Sequence, residues 1–165
     1  MLTRTRSQDP TGSADHVGPN CVLVRELTAA YWHEIETVSY YATSATNRDG
    51  ISAEQVAGAV RETITSALKH AQQAAIRTRQ LHAAAPDPAD FDAQRRHLQP
   101  PAAPLDNGSL LTRLIEAETV AIERYRRIAT VASEARDWVT QALANEVIHE
   151  KTIHRQSLQT CLPDE

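Results

Sequence analysis

The stretch Glu34-Ile-Glu-Thr-Val-Ser-Tyr-Tyr41 recurs in altered form as Glu118-Thr-Val-Ala-Ile-Glu-Arg-Tyr125. Each stretch has a glutamate, then a valine or isoleucine four residues later and a tyrosine seven residues later, so all three share one helical face. A histidine follows each glutamate on the next predicted helix, His70 after 36 residues and His149 after 31. An internal duplication of a helical hairpin accounts for this pattern.

Apolar residues at steps of three and four predict four helices. They run from Cys21 to the turn at residues 47–50, from about 53 to about 82, from about 109 to about 133, and from about Trp138 to about Cys161. Ser52, with Gln55 three residues later, is expected to cap the second helix. Residues 83–108 contain five of the eight prolines, which predicts a long connection. The sequence therefore predicts an all-α protein with two helical hairpins joined by a crossover.

Length, composition and charge limit the classes of function that the chain can have. The 165 residues fit one domain, with residues 1–20 expected to be a disordered polar tail and residues 21–165 the bundle. A net charge of −4 argues against nucleic-acid binding, and two cysteines cannot form a disulfide framework. No apolar run reaches the roughly 18 residues of a membrane span, and residues 1–20 lack the apolar core of a secretory signal. The cytoplasm is the expected location.

Ionisable residues interrupt the apolar stripe of every predicted helix, namely Glu34, His70, Glu118 and the pair Glu146 and His149. The predicted inward stripe of the second helix is Val56, Val60, Thr63, Ala67, His70, Ala74, Arg77 or Thr78, and Leu81. The predicted inward stripe of the fourth helix is Trp138, Ala142, Glu146, His149 and Ile153. A carboxylate that faces a core is costly unless it is paired or binds a metal. Glu146-Val-Ile-His149 places a carboxylate and an imidazole on one face, which is a favourable ligand pair for a metal ion. Four other histidines, His33, His82, His97 and His154, are expected at the surface.

These motifs resemble those of the ferritin-like di-iron carboxylate superfamily, and their spacing is most similar to that of the bacterioferritins. The resemblance covers roughly residues 21–162. The superfamily pattern is Glu on the first helix, Glu-x-x-His on the second, Glu on the third and Glu-x-x-His on the fourth. In this sequence Ala67 stands where the second helix would have its glutamate, three residues before His70. Leu68 stands where bacterioferritins have the haem-binding methionine, so no haem is expected.

The resemblance implies a ferritin-like four-helix bundle that binds iron between its helices. Glu34 and His70 would hold one Fe(II), Glu118 and His149 the other, and Glu146 would bridge them; other divalent metals such as Zn or Mn could replace iron. Tyr41 and Tyr125 would orient ligand carboxylates through their hydroxyls. Dioxygen or peroxide would be the oxidant in a ferroxidase, iron-storage or oxidative-stress role, in a homo-oligomer. The alternative, favoured by Ala67, is a degenerate, non-catalytic member that serves assembly or partner binding.

The crossover also predicts where the two cysteines lie. It makes the first and fourth helices parallel, so that Cys21 and Cys161 are separated by about 42 Å at 1.5 Å of rise per residue. An intrachain disulfide, which needs Cα atoms within about 7 Å, is therefore not expected.

Overall fold

The computed structural model describes residues 19–44, 51–87, 89 and 106–162, and this part of the chain forms four helices. They are α1 (Pro19–Ser44), α2 (Ile51–Gln80), α3 (Asn107–Glu134) and α4 (Trp138–Thr160). The prediction of an all-α bundle is confirmed. The predicted polar tail, the turn at residues 47–50, His97 and most of the connection after α2 lie outside the described residues.

Aspartate side chains begin the last two helices. The carboxylate of Asp106 accepts a hydrogen bond from the Ser109 backbone N–H at 2.8 Å, and Asp137 caps α4 in the same way through Thr140. Such caps satisfy backbone donors that have no partner within the helix. The second helix begins at Ile51, so the expectation that Ser52 precedes it as the cap is wrong.

Two apolar clusters at opposite ends of the bundle establish its topology. One cluster joins the start of α1 and α4 to the end of α2 and α3, with Leu23, Leu27, Ala74, Ile128 and Ala144 among its members. The other joins the end of α1 and α4 to the start of α2 and α3, with Tyr41, Val60, Leu111, Leu114 and Leu158 among its members. Consequently α1 runs parallel to α4, and the chain crosses the length of the bundle between α2 and α3. The predicted crossover is confirmed.

The positions of the cysteines agree with this topology. Cys21 lies near the start of α1 and Cys161 just after α4, so they are at opposite ends of the bundle. Both thiols are free and exposed. Among the described helices, none is long and apolar enough to span a membrane.

Candidate functional site: a buried ion cluster

Between the two apolar clusters, each helix contributes a polar side chain to the interior. Glu34 and His70 are 0% exposed, and Glu118 and Lys151 are each 2% exposed. Three of the five residues predicted as metal ligands therefore meet in the middle of the bundle. The fourth helix contributes a residue that the sequence analysis did not single out.

The predicted position of Glu146 and His149 is wrong. Both are exposed, and the inward stripe of α4 consists of Thr140, Ala144, Val147, Lys151, His154 and Leu158. The predicted stripe was shifted around the helix, because Trp138 and Ile153 were taken as inward residues and are in fact 63% and 53% exposed. Glu146 therefore cannot bridge two ions inside the bundle. His154, expected at the surface, is 8% exposed, and His33 is 3% exposed.

Lys151 is the centre of the cluster. Its ammonium group donates hydrogen bonds to Glu34 Oε2 at 3.1 Å and to Glu118 Oε2 at 3.2 Å. Burial alone would lower the pKa of Lys151, but the two carboxylates outweigh burial and raise it above its usual value. Lys151 therefore carries its charge throughout the physiological pH range, and one cation contacts two buried carboxyl groups.

The two carboxylates have different surroundings. Burial raises the pKa of Glu34 to about 7, against the opposing effect of the Lys151 charge. Burial also acts to raise the pKa of Glu118, but the hydrogen bond with His154 and the charge of Lys151 lower it overall. His154 Nδ1 lies 3.1 Å from Glu118 Oε1, and its Nε2 lies 3.5 Å from Thr63 Oγ1. Glu118 is therefore the carboxylate that remains ionised at neutral pH.

The two predicted tyrosines are buried beside the carboxylate of the other hairpin. Tyr125 is 1% exposed, and its hydroxyl comes close enough to lower the pKa of Glu34 without reaching hydrogen-bonding geometry. Tyr41 is 0% exposed and is affected by the charge of Glu118. Burial raises the pKa of both phenols, so both hydroxyls keep their protons.

Glu150, which lines a surface groove, also contacts His70 of the cluster. The imidazole Nε2 lies 2.9 Å from Glu150 Oε2, and Glu150 Oε1 accepts a hydrogen bond from Lys69 at 2.6 Å. The hydrogen bond from Lys69 lowers the pKa of Glu150. The groove has a volume of about 370 Å³ and is lined by Arg61, Glu62, Thr65, Ser66, Lys69 and Glu150.

The donor set does not fit a di-iron centre. On α2 the position three residues before His70 is Ala67, and on α4 the position three residues before His154 is Lys151. Neither position can supply a bridging carboxylate, and Lys151 places a positive charge between the two remaining glutamates. Within the described part of the chain, no group of three or more His, Cys, Asp or Glu residues could hold a metal ion.

The sequence did contain a signal for the correct histidine. His154 follows Glu118 by 36 residues, and His70 follows Glu34 by the same interval. A duplicated hairpin should preserve this interval, so the repeat favours His154 over His149. The residue that aligns with Ala67 under this repeat is Lys151.

Two of three comparisons with known proteins give matches. The family model described as "Ferritin: Ferritin-like domain" matches residues 25–164. No curated protein matches. Among solved structures, the bacterioferritin-related protein of Bacteroides fragilis, described as a dodecameric thioferritin, is 29% identical with a TM-score of 0.77, over 86% of this chain and 84% of that one.

Two Dps structures share the fold at lower identity. DpsC from Streptomyces coelicolor has a TM-score of 0.81 at 18% identity, over 98% of both chains. Dps from Thermosynechococcus elongatus has a TM-score of 0.81 at 18% identity, over 90% of this chain and 95% of that one.

Proposed function

Because the chain belongs to the ferritin-like domain family, we propose that it is a ferritin-like subunit whose interior holds a lysine-centred ion cluster in place of a di-iron centre. Its role is then in assembly with other subunits and not in Fe(II) oxidation inside the bundle. The observation that carries this proposal is the position of Lys151, whose ammonium group contacts both Glu34 and Glu118.

Electrostatics explains why Lys151 and a metal ion exclude each other. A protonated lysine and a divalent ion about 4 Å apart repel by about 8 kcal/mol at an effective dielectric constant of about 20. A metal could bind only if Lys151 lost its proton or left the cluster. The raised pKa of Lys151 opposes the first change, and leaving would separate a buried ion pair, which is costly.

Assembly is supported by a relative and by the surface. The Bacteroides fragilis structure is described as dodecameric. In this chain Trp138 and Val139, at the start of α4, are 63% and 62% exposed, and Ile76 on α2 is 57% exposed. Contiguous exposed apolar residues are typical of contact surfaces, and Trp138 and Val139 are adjacent, so we infer that the chain forms a homo-oligomer. Iron enters this proposal as cargo of an assembled shell and not as a ligand of the bundle interior.

A second candidate function is Fe(II) oxidation within the bundle, as the family resemblance implies. It is favoured by the survival of four ligand-type side chains, Glu34, His70, Glu118 and His154, in one buried layer. It requires that Lys151 be displaced when metal binds.

One experiment separates the two candidates. Fe(II) binding is measured under nitrogen and Fe(II) oxidation in air, for the wild type, Ala67→Glu and the double variant Ala67→Glu/Lys151→Glu. The double variant restores a carboxylate at both positions, so it should bind up to two ions per chain and oxidise Fe(II) faster than the wild type. Ala67→Glu alone should gain neither property, because Lys151 remains in place.

The matched control is Val120→Glu/Arg126→Glu, which makes the same change of net charge on exposed positions of α3. Its binding and oxidation should equal those of the wild type. Two Fe(II) ions bound per wild-type chain, with a spectrum that shows two coupled iron centres, would overturn the proposal in favour of the second candidate.

A further inference from the structure

Exposed apolar side chains are grouped at one end of the bundle. Among the described residues, the large apolar side chains that are at least 39% exposed are Leu68, Ile76, Val120, Trp138, Val139 and Ile153. Leu68, Val120 and Ile153 are single residues on three different helices. Ile76, Trp138 and Val139 lie where α2 ends and α4 begins, and we call these three residues the end patch.

An ion pair joins the members of the end patch. Arg77 Nη2 donates to both carboxylate oxygens of Asp137 at 2.8 Å, and the two side chains are only 14% and 13% exposed. Ile76 directly precedes Arg77 in the chain. Trp138 and Val139 directly follow Asp137. Because the pair holds the end of α2 against the start of α4, the patch is formed before any partner binds, which reduces the ordering cost of association.

The composition and size of the end patch fit the core of a protein interface. Tryptophan is enriched among the residues that contribute most to binding between proteins. The exposed parts of the three side chains amount to roughly 250 Å². A standard interface buries about 800 Å² on each partner and has an apolar core inside a polar rim. The end patch is therefore large enough for such a core, and its polar surroundings would supply the rim.

Exposed charges of both signs border the end patch. Glu134 and Arg136 precede Asp137, and Arg79 follows Arg77. A nucleic acid or an anionic lipid surface favours a border of cations alone. A border that contains both signs is complementary to an identical border, which favours a second copy of this chain as the partner.

The apolar surface that a second copy can offer is also limited. Leu68, Val120 and Ile153 are isolated, so the contiguous apolar surface that the described residues provide is the end patch itself. We propose that the end patches of neighbouring copies pack against one another around a rotation axis. Identical subunits commonly assemble with closed rotational symmetry, which brings equivalent surfaces together at an axis. This inference rests on the proposed function, because it assigns a surface to the homo-oligomer inferred there.

The first part of the test compares Val139→Glu with Ile153→Glu by sedimentation equilibrium of the full chain. Both variants replace an exposed branched aliphatic side chain of α4 with the same carboxylate, but they do so towards opposite ends of the helix. A charge in the core of the contact should weaken association by about 30-fold or more, whereas Ile153→Glu should assemble as the wild type does. The helix dipole favours a glutamate in the first turn of α4, so Val139→Glu should fold, and far-UV circular dichroism checks this.

The second part tests whether like meets like. Cys21 and Cys161 are free and exposed, so both are first changed to serine. Val139→Cys and the matched control Ile153→Cys are then made in that background and treated with a short bismaleimide. If two end patches meet, Val139→Cys should form covalent dimers about 10-fold faster or more than Ile153→Cys, because the contact raises the effective concentration of the thiols.

The outcomes separate this inference from the proposed function. If the wild type assembles and Val139→Glu assembles equally well, the end patch is not the interface, and the homo-oligomer stands on another surface. If Val139→Glu dissociates the assembly but Val139→Cys is linked no faster than Ile153→Cys, the contact between like patches is overturned. A wild type that stays monomeric at every concentration overturns both, and its binding to vesicles of anionic phospholipid would then assign the patch to a membrane surface.

Discussion

Removal of the Lys151 ammonium group is the most direct test of the ion cluster. Lys151→Met keeps a long unbranched side chain but leaves the buried carboxylates of Glu34 and Glu118 without a counterion. Since both oxygens contact the same nitrogen, they are about 6 Å apart at most, and two unit charges at that distance repel by about 3 kcal/mol at an effective dielectric constant of about 20. Breaking a buried ion pair costs about 3–5 kcal/mol in measured cases.

We therefore expect Lys151→Met to lower the free energy of unfolding by about 3–5 kcal/mol at pH 8. For a domain of this size, that loss corresponds to a fall in Tm of roughly 6–20 °C. The loss should be smaller at pH 5, where the carboxyl groups can take up protons. The assay is thermal and urea unfolding followed by circular dichroism, at one fixed protein concentration because assembly affects apparent stability.

Lys69→Met is the matched control. Its ammonium group also bonds a carboxylate, that of Glu150 at 2.6 Å, but its side chain is 48% exposed. Pairs of this kind contribute up to about 1 kcal/mol, so the control should lose little stability at either pH. If Lys151→Met is as stable as the wild type at pH 8, then Glu34 and Glu118 are not a pair of buried anions held by Lys151, and the reasoning is refuted.

Three further predictions concern pH, the end of the bundle and metal. The pKa of Glu34 is about 7 in the folded chain and about 4.5 otherwise, so the folded state binds more protons between these values and the contribution of Glu34 to stability falls as pH rises through that window. Glu34→Gln should therefore gain about 3 kcal/mol relative to the wild type between pH 4.5 and pH 8 in urea unfolding; a constant difference would contradict the raised pKa. At the bundle end, Arg77 donates to both Asp137 oxygens at 2.8 Å. Asp137→Ala removes both this pair and the helix cap and should cost about 2–4 kcal/mol, whereas Asp137→Asn keeps the cap and should cost about half as much; equal losses would show that the cap contributes nothing. Because the Lys151 charge is part of the chain, a chelator should leave Tm unchanged, and a fall of several degrees on chelation would indicate a bound ion.

Most of the fold could be predicted because it depends on periodicity. The predicted inward stripe of α2 agrees with the structure at Val56, Val60, Thr63, Ala67, His70 and Ala74, all of which are buried. The duplication of the Glu-to-Tyr spacing correctly placed Glu34 and Glu118 in the interior. Prolines after α2 indicated the crossover, because they exclude a helix that would continue through residues 83–108.

The spacing of apolar residues could not predict which face of α4 is buried. Trp138 and Ile153 are large apolar residues, and periodicity assigns such residues to the core. Both are exposed in the structure. The true stripe contains Lys151 and His154, and lysine is almost never fully buried unless it is paired. In the sequence, the face of α4 that contains Lys151 and His154 therefore resembles a solvent-exposed face.

Periodicity could not distinguish Lys151 from a surface lysine, because its role depends on the carboxylates that it contacts. On its own helix it is a polar residue in a weakly apolar segment, and Glu34 and Glu118 lie on two other helices, 117 and 33 residues away along the chain. A ferritin-like interior keeps two buried carboxylates, and these require a compensating positive charge. A metal ion supplies that charge only when it is available and bound, whereas Lys151 supplies it in every folded molecule. The loss of a carboxylate at Ala67 and the gain of an ammonium group at Lys151 act in the same direction, since both reduce the negative charge that would otherwise remain in the bundle without metal. Under the proposed function, the charge of Lys151 therefore replaces that of a metal ion in the bundle interior, as expected of a subunit that contributes a stable bundle to an assembly.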